Sequence, residues 1–211
     1  MRLQRYAIEL DSLKVEHLEM VRLWRNQDYI RSNMQFQKML SREDQEKWFA
    51  TLDKERNLYW VIRTHGYPIG LIHIKDIDSD RSEGEAGIFI GEPSYLEMPQ
   101  PMLAILFMME MAFFALGLSR LKAKIKSGNR HAISFNQKLG YKLIPDQPQG
   151  FQYYLVSEET FSSSTERIRL QSTHMYGNET VVAQVSALNA LGSDLVKGIS
   201  RADNYFNPKF I

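Results

Sequence analysis

The sequence predicts an α/β fold of the α+β kind: a mixed, mainly antiparallel central sheet flanked by helices, with a helical extension at the C-terminal end. Three observations carry that expectation. Residues 58–63 (LYWVIR), 69–76 (IGLIHIKD) and 84–90 (GEAGIFI) are short apolar runs separated by turn formers and charges, as three strands of an antiparallel meander would be. Residues 102–116 are apolar at every position except Glu110, which reads as a helix with no wide solvated face, covered by other elements. Residues 121–126 (LKAKIK) then alternate strictly, and a helix and a final strand pair follow.

Taken in order, residues 6–10 read as a first strand ending at Asp11 and Ser12. Val15, Leu18, Val21 and Trp24 recur at a spacing of three and give one apolar side to a helix ending near Asn26. Ser41 with Asp44 forms a capping box that opens a helix over 42–53, with Trp48, Phe49 and Leu52 on its buried side. Residues 64–68 (THGYP) make a hairpin connection between the first two meander strands. Pro99 and Pro101 lack amide donors, which suits the first turn of a helix and places its start near Pro101. A membrane span is the weaker reading of that helix, because the run is shorter than the ~20 apolar residues a span needs and carries a carboxylate. Asn129 is a good N-cap for a helix over 130–139, and Gly140 ends it. Residues 141–144 and 151–156 form the last strand pair around a turn over 145–150.

Length and composition set bounds. The 211 residues, 44% of them hydrophobic, suffice for one sizeable domain with an appendage, divided here as 1–156 and 157–211. A net charge of +1, with charges interspersed, gives no electrostatic case for nucleic acid or a membrane surface as partner. There is no cysteine, hence no disulfide framework, thiolate metal site or cysteine nucleophile, and no metal is expected. The N-terminal residues are charged throughout and lack the apolar core of a secretory signal, so a cytoplasmic location is expected.

Residues 24–34 (WRNQDYIRSNM) gather Trp24, Arg25, Asn26, Arg31 and Met34. Arginines clamp carboxylate or phosphate and tryptophan stacks on a base or sugar, which marks these five as substrate-binding candidates. A surface helix with snorkelling arginines is the equal alternative.

Beyond Val156, residues 157–166 (SEETFSSSTE) read as a polar hinge. Val181, Val185, Leu188, Leu191, Leu195 and Ile199 then fall at helical intervals, so an amphipathic helix is expected over 179–200. Its stripe needs a cover, from this chain or from a second copy in a homo-oligomer.

This order of elements over about residues 6–156, together with three strings, resembles the GNAT superfamily of acyl-coenzyme A-dependent N-acyltransferases. The strings are WRNQDYIRSNM followed by SREDQEKWF, similar to the branch that holds nucleotide-sugar and ribosomal-protein N-acetyltransferases; YPIGLIHI followed by EAGIFIGEPSY; and NRHAISFNQKLGYKL, the most specific. The resemblance implies acetyl-coenzyme A as co-substrate and a small amine, such as an amino-sugar nucleotide, as acceptor. It implies a coenzyme arm along Ile88, Phe89 and Ile90, and a phosphate end near Leu96, Met98, Gln100, Pro101 and Met102, with Asn129 and Asn136 beside it. A helix N-cap explains Asn129 equally well. The loop departs from the family pattern: prolines stand where glycines are usual, and Leu96 where a basic or amide residue is usual, so fewer amides are offered to phosphate.

Acyl transfer to an amine needs a base, for which Glu85 is the first candidate and His73 the second. The bland readings are a solvated strand carboxylate and a structural histidine. A general acid stands in many of these enzymes where Asn136 falls here, and Asn136 cannot serve, so the role is vacant or filled by water or by another residue such as Tyr141. The alternatives to a small-amine acetyltransferase are a non-catalytic binding or assembly module of the same fold, and a protein N-terminal acetyltransferase.

Overall fold

The computed structural model describes residues 1–145, 150–183, 185 and 188–211. Residues 146–149 of the expected last turn, and 184, 186 and 187 of the expected tail helix, lie outside the described residues.

The chain opens with β1 (Arg2–Arg5) and β2 (Ile8–Ser12), joined by Tyr6 and Ala7, whose φ angles of 55° and 61° make a two-residue hairpin turn. The single strand expected over 6–10 is therefore corrected to a hairpin. Tyr6 and Ala7 lack the Asn-Gly signature by which such turns are read.

Helix α1 (Leu18–Asn26) buries Leu18, Val21 and Trp24, whereas Val15 lies in the preceding 3-10 turn and is 70% exposed. Short α2 (Asp28–Arg31) follows. Then α3 (Arg42–Ala50) starts at the expected box: Ser41 Oγ accepts the Asp44 amide at 3.0 Å and the Ser41 amide donates back to Asp44 at 2.9 Å. It stops short of Asp53, and its buried residue is Gln45 while Trp48, Phe49 and Leu52 are half-buried.

The meander is β3 (Leu58–Thr64), β4 (Tyr67–Asp78) and β5 (Glu83–Ile90), antiparallel throughout, with Leu71 opposite Phe89 and His73 opposite Gly87. Helix α4 (Gln100–Glu110) begins at the two prolines, and the apolar run then widens into a π-helical turn over Met111–Ala115. No helix among the described residues is long and apolar enough to cross a membrane.

Strand β6 (Arg120–Lys126), α5 (Arg130–Lys138), β7 (Lys142–Leu143) and β8 (Phe151–Ser157) follow as expected. Asn129 caps α5 by accepting the Ala132 amide at 3.0 Å, and Gly140 takes φ 94° just beyond its end.

The tail differs most from expectation. The polar stretch read as a hinge is the first half of α6 (Glu158–Tyr176), capped by Ser157, with Glu158 and Glu159 in its first turn and Phe161 and Thr165 buried. Residues 180–183, read as helix, form β9 (Thr180–Ala183), which pairs antiparallel with β1. Helix α7 (Ala190–Arg201), α8 (Asp203–Phe206) and β10 (Pro208–Phe210) complete the chain, β10 running parallel to β9. Adjacent valines at 181 and 182 satisfy a strand as well as a helix, and pairing with β1 decides between them.

The sheet order is β10-β9-β1-β2-β3-β4-β5-β6-β8-β7. One face carries Trp60, Ile72, Ala86, Ile90 and Leu121 against α4 and the tail, whose Phe161, Leu195, Ile199 and Phe206 are buried in the same core. The other face carries Val61, Leu71 and Phe89 against Val21 and Trp24 of α1 and Ile30 of α2. Helix α7 lies so close to the π-turn that a Cβ on Gly198 would sit 1.8 Å from the Ala115 carbonyl oxygen.

Candidate functional site

Strands β5 and β6 are parallel neighbours over only three registered pairs, Glu83 with Arg120, Gly84 with Leu121 and Glu85 with Lys122. Beyond them β5 stays with β4 as far as Ile90, and β6 stays with β8 as far as Lys126. The two strands part into a V, and among the described residues no strand pairs with 86–90 of β5 on that side. Backbone donors and acceptors on such an edge need partners.

At the closed end of the V, on the face that carries α1, lies a cavity of about 400 Å³ whose lining includes Arg56, Glu83, Glu85, Lys122 and Tyr153. On the same face the segment after α2 reaches across the gap: Lys124 Nζ donates to Gln35 at 2.7 Å and Lys126 Nζ to the Ser32 carbonyl at 2.9 Å. At the open end of β5 the Tyr29 hydroxyl lies 3.0 Å from the carbonyls of both Ile90 and Gly91.

Glu85 lines the cavity and is paired with Lys75 Nζ at 3.0 Å. Burial opposes charge on Lys75, but its bonds to Glu85 and Asp76 carry its pKa above the ordinary value. His73 stacks on Tyr59 with ring centroids 4.8 Å apart and covers Gly87, where a Cβ would come 2.5 Å from the imidazole. Burial, reinforced by Lys75, lowers the His73 pKa to about 3. The lowered pKa keeps the ring neutral at physiological pH. Tyr141 is 2% exposed and its hydroxyl has no hydrogen-bond partner among the described residues. Burial first, then the charge of Glu85, raises its pKa, so it stays a protonated donor.

The coenzyme candidates divide. Ile88, Phe89 and Ile90 lie on the open edge of β5. The loop that follows is closed on itself: the amides of Tyr95, Leu96 and Met98 donate to the carbonyls of Glu92, Pro93 and Tyr95. Pro99 occupies the N-cap of α4, with Gln100, Pro101 and Met102 in its first turn and the Gln100 side-chain oxygen buried without a partner. The edge thus fits an extended amide-bearing arm, while the loop offers phosphate few donors. Asn129 uses its carbonyl on the α5 cap, and Asn136 donates to the Ala132 carbonyl at 2.8 Å.

Most residues of the substrate string make contacts within the chain. Trp24 packs where a Cβ on Gly91 would lie 2.1 Å from the indole, and its Nε1 donates to Glu92 at 2.9 Å. Asn26 holds the Leu40 backbone through both side-chain atoms, at 2.8 and 2.9 Å. Arg31 pairs with Asp28 and donates to the Gln37 carbonyl at 3.2 Å, and Met34 packs on the Trp24 cluster. Arg25 differs: it is half-buried near Tyr59 and His73, and one terminal nitrogen has no partner among the described residues. Sequence reasoning missed Lys75, Arg56 and Lys122, which belong to no motif, and Gly87, whose place inside a strand is a signal of close approach.

Residues 8–142 match the family described as an acetyltransferase (GNAT) domain. No curated protein matches the chain significantly. Among solved structures, the spermidine N-acetyltransferase of Vibrio cholerae in complex with coenzyme A and spermine is 16% identical, with a TM-score of 0.65 over 74% of this chain and 98% of that one. A nucleotide-linked sugar GNAT is 18% identical, with a TM-score of 0.67 over 80% and 96%. A ribosomal L7/L12 α-N-protein acetyltransferase in complex with coenzyme A is 12% identical, with a TM-score of 0.62 over 73% and 96%. At these identities the likeness is one of fold.

Proposed function

The chain belongs to the acetyltransferase (GNAT) family, and on that footing we propose that it transfers an acetyl group from acetyl-coenzyme A to the nitrogen of a small amine. The observation that carries this reading is the V between β5 and β6 with a carboxylate-bearing cavity at its closed end. Acetyl-coenzyme A supplies an activated acyl carbon when its arm lies along residues 88–90.

The acceptor enters the cavity beside Glu85, its nitrogen attacks that carbon, and the carbon–sulfur bond breaks so that coenzyme A leaves as a thiolate that takes a proton from water. Glu85, directly or through water, takes the proton the nitrogen sheds, and Lys75 orients the carboxylate. Tyr141 keeps its proton and supplies a hydrogen bond on the Glu85 side. His73, held neutral, covers Gly87 and takes no part in the proton transfer.

A second reading, a module of the same fold that binds without catalysis, draws support from the closed loop and its two prolines. An assay for free coenzyme A thiol over a panel of amino-sugar nucleotides, polyamines and peptide N-termini separates the two. Thiol release with one acceptor class is expected. Calorimetry that detects no acetyl-coenzyme A binding at millimolar concentration would end the enzymatic reading.

A further inference from the structure

The charges at the closed end of the V do not balance among themselves. Lys75 holds Glu85 at 3.0 Å and Asp76 at 3.2 Å, Arg120 and Lys122 both hold Glu83, and Arg81 lies 3.7 Å from Asp78. Lys75 serves two of these carboxylates and Glu83 takes two cations, so Lys75, Arg81, Arg120 and Lys122 together balance Asp76, Asp78, Glu83 and Glu85 with no net negative charge to spare for a protonated amine.

Arg56 is the cation left over. It lines the same cavity and, among the described residues, has no carboxylate within ion-pair distance. Its place is fixed from both directions: Arg56 Nε donates to the Ile77 carbonyl at 3.1 Å, and the Ile77 amide donates to the Arg56 carbonyl at 2.9 Å. With Nε committed, the two terminal nitrogens present a planar fork, which matches the paired oxygens of a carboxylate or phosphate. A lysine would be a flexible point charge.

We propose that this end of the cavity is an anion subsite, and that the acceptor is an amine bearing a carboxylate or phosphate, its anion on Arg56 and its nitrogen beside Glu85. This deepens the acetyl-transfer reading and rests on it for the identity of the nitrogen's partner. An anionic acceptor also explains why the acidic side chains are neutralised internally: unpaired carboxylates would repel it. A polyamine would meet Arg56 with like charge.

The test uses matched pairs of amines with and without the anion, glucosamine 6-phosphate against glucosamine and β-alanine against propylamine. Binding to the full chain is titrated with and without acetyl-coenzyme A. The anionic member should bind several-fold to about tenfold more tightly, the worth of one charge-assisted fork on an exposed arginine. Whichever pair shows the larger ratio distinguishes phosphate from carboxylate. Arg56→Gln, checked for an unchanged melting temperature, should abolish the preference, and Arg56→Lys should restore only part of it. Equal binding within both pairs, absence of binding by all four amines, tighter binding of spermidine, or a preference unmoved by Arg56→Gln overturns the proposal. An Arg56-dependent preference in a protein that binds no acetyl-coenzyme A upholds the subsite and overturns the acetyl-transfer reading.

Discussion

The junction of the N-terminal hairpin with the tail and the V between β5 and β6 show how differently this chain treats its polar groups. Arg5, at the junction between the N-terminal hairpin and the tail, is 4% exposed and has all its donors placed: Nε on Glu110, one terminal nitrogen on Asn178 and Thr180, the other on Tyr6 and Asn178. The Tyr6 hydroxyl closes the circuit by donating to Glu110 at 2.9 Å. Around the V, among the described residues, Arg25, Gln100 and Tyr141 each hold a buried polar atom without a partner, and Arg56 has no carboxylate within ion-pair distance. A saturated network has no bond left for a ligand and holds the fold together; an unsaturated set of groups around a gap is what a ligand site requires.

That contrast yields its largest effect at Arg5. Glu110 already carries a pKa raised by burial and held down in part by Arg5, so Arg5→Met would strand a buried carboxylate and cost about 3–5 kcal/mol of stability. Chemical denaturation should show this loss, and pairing it with Glu110→Leu should recover most of it. Glu85→Gln tests the opposite region: turnover should fall roughly 10²- to 10⁴-fold while the denaturation midpoint stays put. If both variants lowered stability alike, the two regions would not differ as described.

The loop after β5 comes next. Replacing Pro99 and Pro101 by glycine and Leu96 by arginine adds two amides and a cation near the expected phosphate position, and acetyl-coenzyme A binding should tighten by about tenfold or more. An unchanged dissociation constant in a normally folded variant would place the phosphates elsewhere. The smallest effect is on pH. His73 protonates at about 3 when folded and ordinarily at 6.5, so as pH falls through that window the unfolded chain binds the proton first and stability drops. His73→Phe should flatten the slope of stability against pH between about 3 and 6.5 by up to one proton, and leave it unchanged above pH 7.

The meander and the apolar helix were legible because alternation and proline placement are local signals, as were the caps at Ser41 and Asn129. Misreadings arose where two local signals coincide. Residues 157–166 are polar enough for a linker, yet Ser157 as cap and Phe161 and Thr165 one turn apart make them a helix once the core is there to receive them. Within the candidate site, Glu85 and the β5 edge could be found from pattern. Trp24, Asn26 and Arg31 have partners within the chain, because tryptophan, asparagine and arginine serve loop anchoring as well as ligand binding. Arg56 was invisible: it stands in a turn, and only the bonds to Ile77 across the sheet carry it to the cavity.

Backbone hydrogen exchange on the full chain, with and without saturating acetyl-coenzyme A, reads both regions at once. Slowed exchange at residues 86–90 of β5 and through the start of α4, with β9 and α7 unchanged, is the result expected of a ligand lodged in the V. Equal slowing in β9 and α7, or no slowing on the β5 edge, would contradict it.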